Sequence, residues 1–213
     1  MFKFTMSEIR DLIIAFIFIS LSFAIASGGR DPSAIMTILP YIMVGVGAGF
    51  ILHELGHKYV SMKYGYWAEF KLWPQGLLFA LVTSFFGFVF AAPGAVYTYA
   101  NYMTDEINGK ISIAGPIVNI ILALIFLAIA VAVYPSAFTS DLSVTIFIIC
   151  SMGYSINSFL AVFNLLPIGN LDGSKVFTWN IGIWIVAIAV AGILTAASMT
   201  IGVENIVRLI IGM

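Results

Sequence analysis

Long apolar runs, broken by short polar clusters, set the layout of this 213-residue chain. A helix needs about 20 apolar residues to cross a bilayer core. Leu12 to Ala26 is the first candidate and is slightly short. Gly28-Gly29-Arg30-Asp31-Pro32 reads as a turn. Ala34 to about Met62 is the second span. Ile111 to Tyr134 is the third, with Pro116 near its start, where proline is tolerated. Pro135 to Asp141 is a short loop. Leu142 to Leu166 is a further span that ends at Pro167, and Phe177 to Ala197 follows it. Thr200 to Met213 is an apolar tail with Glu204 and Arg208, either a short last span or an interfacial helix.

The segment from Tyr64 to Asn108 has a different pattern. It is rich in aromatics, glycine and β-branched residues. Leu77 to Ala92 is apolar but broken by Thr83, Ser84 and Gly87, and Val96-Tyr97-Thr98-Tyr99 alternates as a strand does. One more crossing helix, or strands with a re-entrant loop, would fit. With a cytoplasmic N-terminus and no crossing here, Lys3, Arg10, Lys58, Lys63, Lys71, Lys110 and Lys175 fall on the cytoplasmic side. Only Arg30 and Arg208 fall opposite, seven against two, which follows the positive-inside tendency. The re-entrant reading is therefore preferred. Irregular backbone at membrane depth needs protein or a water-filled cavity to satisfy it, so a cavity is expected nearby.

Composition agrees with the pattern. The chain is 62% hydrophobic and only 9% charged, whereas a soluble domain is about half apolar and a quarter charged. The expected fold is an all-α polytopic membrane protein with about six transmembrane segments. A small β or re-entrant segment follows the second of them. It is expected as one integral membrane domain over residues 1–213, with accessory spans at 12–28 and 177–213. The short charged stretch Lys3 to Asp11 precedes a run without a convincing cleavage site, so that run is read as an uncleaved span. A net charge of −1 implies no attraction to nucleic acid. Cys150 is the single cysteine, which excludes an internal disulfide.

The candidate chemistry sits in Ile51-Leu52-His53-Glu54-Leu55-Gly56-His57. Residues four apart share a helix face, so His53 and His57 present two imidazoles to one point. Two neutral imidazoles suit zinc, and Glu54 beside them suits a general base acting on a water there. These are the chain's only two histidines. Their spacing with a glutamate after the first arises by chance on the order of once in 4,000 arrangements. Two packed core histidines would leave three polar groups without purpose inside a membrane span, which is costly.

Zinc needs a third protein ligand, which must be a carboxylate or Cys150. Asp31 and Asp141 fall on the far side, Asp105 and Glu106 sit in a polar loop, and Glu69 flanks an aromatic interfacial stretch. Asp172 remains, in Pro167-Ile168-Gly169-Asn170-Leu171-Asp172-Gly173. Two crossings place it on the side of His57. An Asp-Gly pair can equally be only a turn, so spacing leaves the third ligand open.

Three motifs together resemble the site-2 protease family of intramembrane zinc metalloproteases. They are His53-Glu54-Leu55-Gly56-His57, then Ala114-Gly115-Pro116-Ile117-Val118-Asn119, then Phe163-Asn164-Leu165-Leu166-Pro167 with Asn170-Leu171-Asp172-Gly173. They follow the family's order and span residues 34–175. The resemblance implies a core of three membrane helices, with one zinc held by His53, His57 and Asp172. It implies that Glu54 is the catalytic base and that Asn119 lines the site. Asn170 stands where many relatives have a proline before the aspartate.

The expected activity is hydrolysis of peptide bonds in membrane-spanning substrate proteins, within the lipid bilayer of the cell membrane and with the active site toward the cytoplasm. Asn119 is a candidate donor to the substrate backbone or oxyanion, or a bridge between helices. Asn157 and Asn164 read as structural amides. A helical substrate must be extended to be cut, and the strand-like stretch around Leu77 to Tyr99 could pair with it. A metal transporter would be expected to supply ligands from several helices, and an inactive relative would usually lose the glutamate or a ligand. A prenyl-protein protease would draw a ligand from a glutamate on a later helix, and none lies between Ile111 and Glu204.

Overall fold

The computed structural model describes residues 3–90 and 92–213. Helix α1 (Met6–Gly28) starts where the Thr5 side chain accepts a hydrogen bond from the Glu8 N–H, one of the orphan donors at a helix start. Gly29 closes it with a positive φ of 66°, a conformation glycine adopts without strain. Helix α2 (Pro32–Val46) begins with Asp31 as cap and Pro32 in the first turn. It passes through a π-helical turn at Gly47–Ile51 into α3 (Leu52–Lys63), so Pro32–Lys63 is one rod of 32 residues.

Strand β1 (Trp67–Leu72), helix α4 (Pro74–Ser84) and strand β2 (Gly94–Tyr99) follow. The strands pair antiparallel, with Phe70 opposite Val96 and Leu72 opposite Gly94. Then come α5 (Asp105–Val133), a short 3-10 turn over Tyr134–Phe138, α6 (Asp141–Asn164), α7 (Asp172–Trp179), α8 (Ile181–Thr200) and α9 (Val203–Ile211).

The protein is thus all-α and polytopic with one small sheet, as its apolar runs predict. Among the described residues, five helices are long and apolar enough to cross a membrane. The expected count of about six included the C-terminal tail. That tail folds as α9, nine residues long, which is too short to span a bilayer core. Arg208 and Glu204 pair on α9 at 2.7 Å, and both bond the Tyr134 hydroxyl.

The segment between α3 and α5 returns to the end it left. Contacts of α3 and the π-helical turn before it with α5 pair Gly49 with Asn119, Gly56 with Ala114 and Val118, and His57 with Ile111. Rising numbers on α3 meet falling numbers on α5, so the helices are antiparallel. Helix α4 has only 11 residues, roughly half a crossing. Van der Waals packing of small residues, rather than apolar burial, drives helix association in lipid. Gly45 on α2 and Gly153 on α6 illustrate it: a Cβ on Gly45 would lie 3.1 Å from the Gly153 Cα.

Candidate metal centre

The π-helical turn ends just before Leu52, so His53, Glu54 and His57 lie on the first two turns of α3. All three side chains are buried, and Asp172 is 9% exposed. Asp172 is the first residue of α7. The turn Leu165–Leu171, which contains Gly169 at φ 57°, brings it back over α3. Its Oδ2 lies 3.3 Å from His53 Nε2 and 3.0 Å from His57 Nε2. The two Nε2 atoms are 3.0 Å apart. Among the described residues these three form the one group of histidine, cysteine or acidic side chains whose ligand atoms lie within 4.8 Å of one another.

The hydrogen bonds behind the rings fix their tautomers. His57 Nδ1 faces the Ile111 carbonyl at 2.8 Å. A carbonyl only accepts, so Nδ1 carries the proton. Asn119 Nδ2 donates to the Gly49 carbonyl at 3.0 Å and to Asn157 Oδ1 at 3.1 Å. That orients the amide, turning Asn119 Oδ1 toward His53 Nδ1 at 2.6 Å. His53 Nδ1 therefore donates as well. Neutral imidazole has one proton, so both Nε2 atoms present lone pairs toward the Asp172 carboxylate.

Three electron-rich atoms at 3.0–3.3 Å with no proton among them form a site for a cation. Tetrahedral zinc at about 2.0–2.1 Å from its ligands separates them by about 3.3 Å, so the residues present fit that ion. The pattern of an imidazole donating its second N–H to a carbonyl is the usual outer support of a ligated histidine.

Helix α5 makes room for the rings. A Cβ on Gly115 would sit 2.6 Å from His53 Nε2 and would also strike His57 Nε2. Only glycine lets the two helices approach so closely here.

Glu54 faces a cavity of about 850 Å³ lined by His53, His57, Asp172, Lys175 and the strand Gly94–Thr98. Its Oε2 is buried without a hydrogen-bond partner, a state that in a native interior calls for water or a ligand. The Val96 backbone N–H on β2 faces the same carboxylate.

Of the residues singled out from sequence, His53, Glu54, His57 and Asp172 come together. Asn119 does not face the cavity. It is fully buried behind His53, with its oxygen and its N–H groups already engaged. The expectation of Asn119 as a donor to substrate or oxyanion is corrected accordingly: no N–H of its amide is directed at the cavity, and its place is that of a bridge. The Ile111 carbonyl carries no sequence signal, being backbone. Lys175, whose Nζ lies 3.8 Å from Asp172 Oδ1, could have been found from its three-residue spacing on α7. Replacing Asn119 with alanine is expected to weaken zinc affinity by about 10–100-fold, the range for a lost outer partner. A competition titration against a chelator measures this, and unchanged affinity would refute the orienting role.

Sequence comparison places two curated proteins close to this chain. The first, named "Putative zinc metalloprotease MJ0611", from Methanocaldococcus jannaschii, is 40% identical over 184 residues, covering 86% of this chain and 90% of the relative. The second, named "Putative zinc metalloprotease YwhC", from Bacillus subtilis, is 30% identical over 154 residues, covering 66% and 69%. No family model and no solved structure matches the chain.

Proposed function

We propose that this chain, which belongs to the zinc metalloprotease family of those two relatives, is an intramembrane peptidase of the site-2 type that hydrolyses peptide bonds in membrane-spanning proteins. The observation that carries the reading is the convergence in one cavity of two imidazole lone pairs, the Asp172 carboxylate and the unpartnered Glu54 oxygen. His53, His57 and Asp172 would hold one zinc per chain. Zinc, when bound, supplies a Lewis acid for the scissile carbonyl and a water acidic enough to lose a proton near neutral pH.

Each remaining step falls to the chain's own groups. Glu54 Oε2 takes the water proton and delivers it to the leaving amine. Asn119 and the Ile111 carbonyl keep both imidazoles aimed with Nε2 forward. Phe70 and Leu72 on β1 turn their N–H groups away from β2. In an antiparallel ladder their partners Val96 and Gly94 then also turn their backbone groups outward. That outward edge belongs to a strand lining the cavity, where an extended substrate could add by β-augmentation. Extension is required because a helical substrate hides its amides from the water.

A transit path for metal would need ligands at several depths. Among the described residues there is a single three-ligand group, which favours hydrolysis over transport. The deciding experiment compares purified wild type with Glu54→Gln for zinc content and for cleavage of single-span substrates. Wild-type cleavage that the variant lacks supports the peptidase; metal binding without any cleavage would refute it.

The membrane orientation gives a separate expected result. Cysteine labels at Lys63 and Lys175 should react from the cytoplasmic side and a label at Asp141 from the opposite side. Opposite-side labelling of Lys63 and Lys175 would mean that the segment from Tyr64 to Asn108 crosses the membrane.

A further inference from the structure

Two carboxylates near the start of α1 take no part in that chemistry, yet reach into the substrate-facing sheet. Glu8 and Asp11 are three residues apart and share a helix face. Glu8 is 1% exposed. Its Oε1 accepts from the Phe70 N–H at 3.1 Å, and its Oε2 accepts from Lys58 Nζ at 2.5 Å. Asp11 Oδ2 accepts from the Leu72 N–H at 3.3 Å. Phe70 and Leu72 lie two apart on β1, so these N–H groups point the same way, outward from β2. Side chains of α1 therefore occupy the outer edge of the sheet.

Lys58 follows His57 directly on α3 and is also 1% exposed. Its ammonium lies 4.4 Å from the Phe4 ring centroid and 5.6 Å from that of Trp67. One carboxylate thus grips the strand with one oxygen and the metal-binding helix with the other. A second tie, Ser61 Oγ to Thr98 Oγ1 at 2.8 Å, joins the same helix to β2. A buried ion pair adds little stability compared with apolar residues of the same shape. Its use here is geometric.

We infer that Glu8, assisted by Asp11, is a positioning residue for substrate. It fixes the depth of the β1–β2 sheet against the helix carrying His53, Glu54 and His57. It also closes the outer strand edge, an open template for pairing in any small sheet, so that an extended chain can add only along Gly94–Thr98. The inference rests on the peptidase reading, with β2 as the substrate edge.

Two double variants separate the strand contact from the ion pair. Glu8→Gln with Lys58→Met removes both charges but keeps an amide oxygen for the Phe70 N–H. Glu8→Leu with Lys58→Met removes both charges and the acceptor. Neither leaves a buried charge unpaired, so both should fold. Hydrogen exchange at Phe70, whose N–H loses its acceptor, is expected to quicken at least about tenfold in the leucine variant, with protection restored in the glutamine variant. KM for a single-span substrate should rise at least about tenfold in the leucine variant, with kcat changed less than about threefold, and the glutamine variant should rescue KM.

Equal exchange and equal KM in the two variants would overturn the inference while leaving the peptidase standing. If wild type cleaves no membrane-spanning substrate, the peptidase reading fails, and with it the substrate role of Glu8. The exchange measurement then still decides whether Glu8 caps the strand.

Discussion

The Glu54→Gln protein is expected to retain zinc at the wild-type level and to cleave a single-span substrate about 10²–10⁴-fold more slowly, the usual span for a lost general acid–base. The proposed ligand atoms belong to His53, His57 and Asp172, so the amide removes none of them. Glutamine matches glutamate in size, and α3 should be unchanged. The loss falls on the atom that the structure leaves free. Glu54 Oε2 is buried without a partner, and an amide at that place cannot accept a proton from water. Single-turnover cleavage alongside metal analysis of the same preparation gives both readings. Turnover within about threefold of wild type would end the general-base assignment.

Asp172→Asn is expected to have the opposite profile, losing metal first and activity with it. Asparagine keeps the shape but withdraws the negative charge that faces two imidazole lone pairs at 3.3 and 3.0 Å. Zinc affinity should fall by more than about 100-fold, beyond the range for an outer partner. Peptide hydrolysis should fall by orders of magnitude at limiting zinc. Asp105→Asn and Asp141→Asn serve as controls, since both residues are exposed. Full zinc occupancy in Asp172→Asn, measured after dialysis against a weak chelator, would remove Asp172 from the ligand set and leave a two-histidine site.

Much of this arrangement was readable from spacing. Run lengths located the five long helices to within six residues at either end, because each crossing needs its own apolar stretch, while the polar first turns of α1 and α5 lie outside the apolar runs. The four-residue interval between His53 and His57 implied convergence because a helix has a fixed period. Asp172 lies 115 residues beyond His57 (172 − 57), and spacing alone could not join them. Local pattern failed where a partner lies far off. Lys58 counts in the sequence only as one of the cytoplasmic cations, yet it is buried because Glu8, 50 residues earlier, meets it. Asn119 could be placed on a helix near the site, but not aimed. Its direction is set by the carbonyl of Gly49, 70 residues away. Leu77 to Ala92 is different: its run is broken by Thr83, Ser84 and Gly87, and the helix within it stops at Ser84, so there the polar breaks mark the helix end.

The π-helical turn at Gly47–Ile51 acts as a phase adjuster within the rod Pro32–Lys63. A turn with one residue more than an α-helix rotates everything beyond it by about 100°. Before the turn, the rod is registered by Gly45 against Gly153 on α6. After it, the register is set by His53, Gly56 and His57 against α5. The carbonyl of Gly49, inside the turn, is what Asn119 grips. A single uninterrupted helix would have to satisfy both neighbours with one angular setting. The wider turn uncouples them, so the half of the rod that packs in the bundle and the half that carries the chemistry can each change without dragging the other out of alignment.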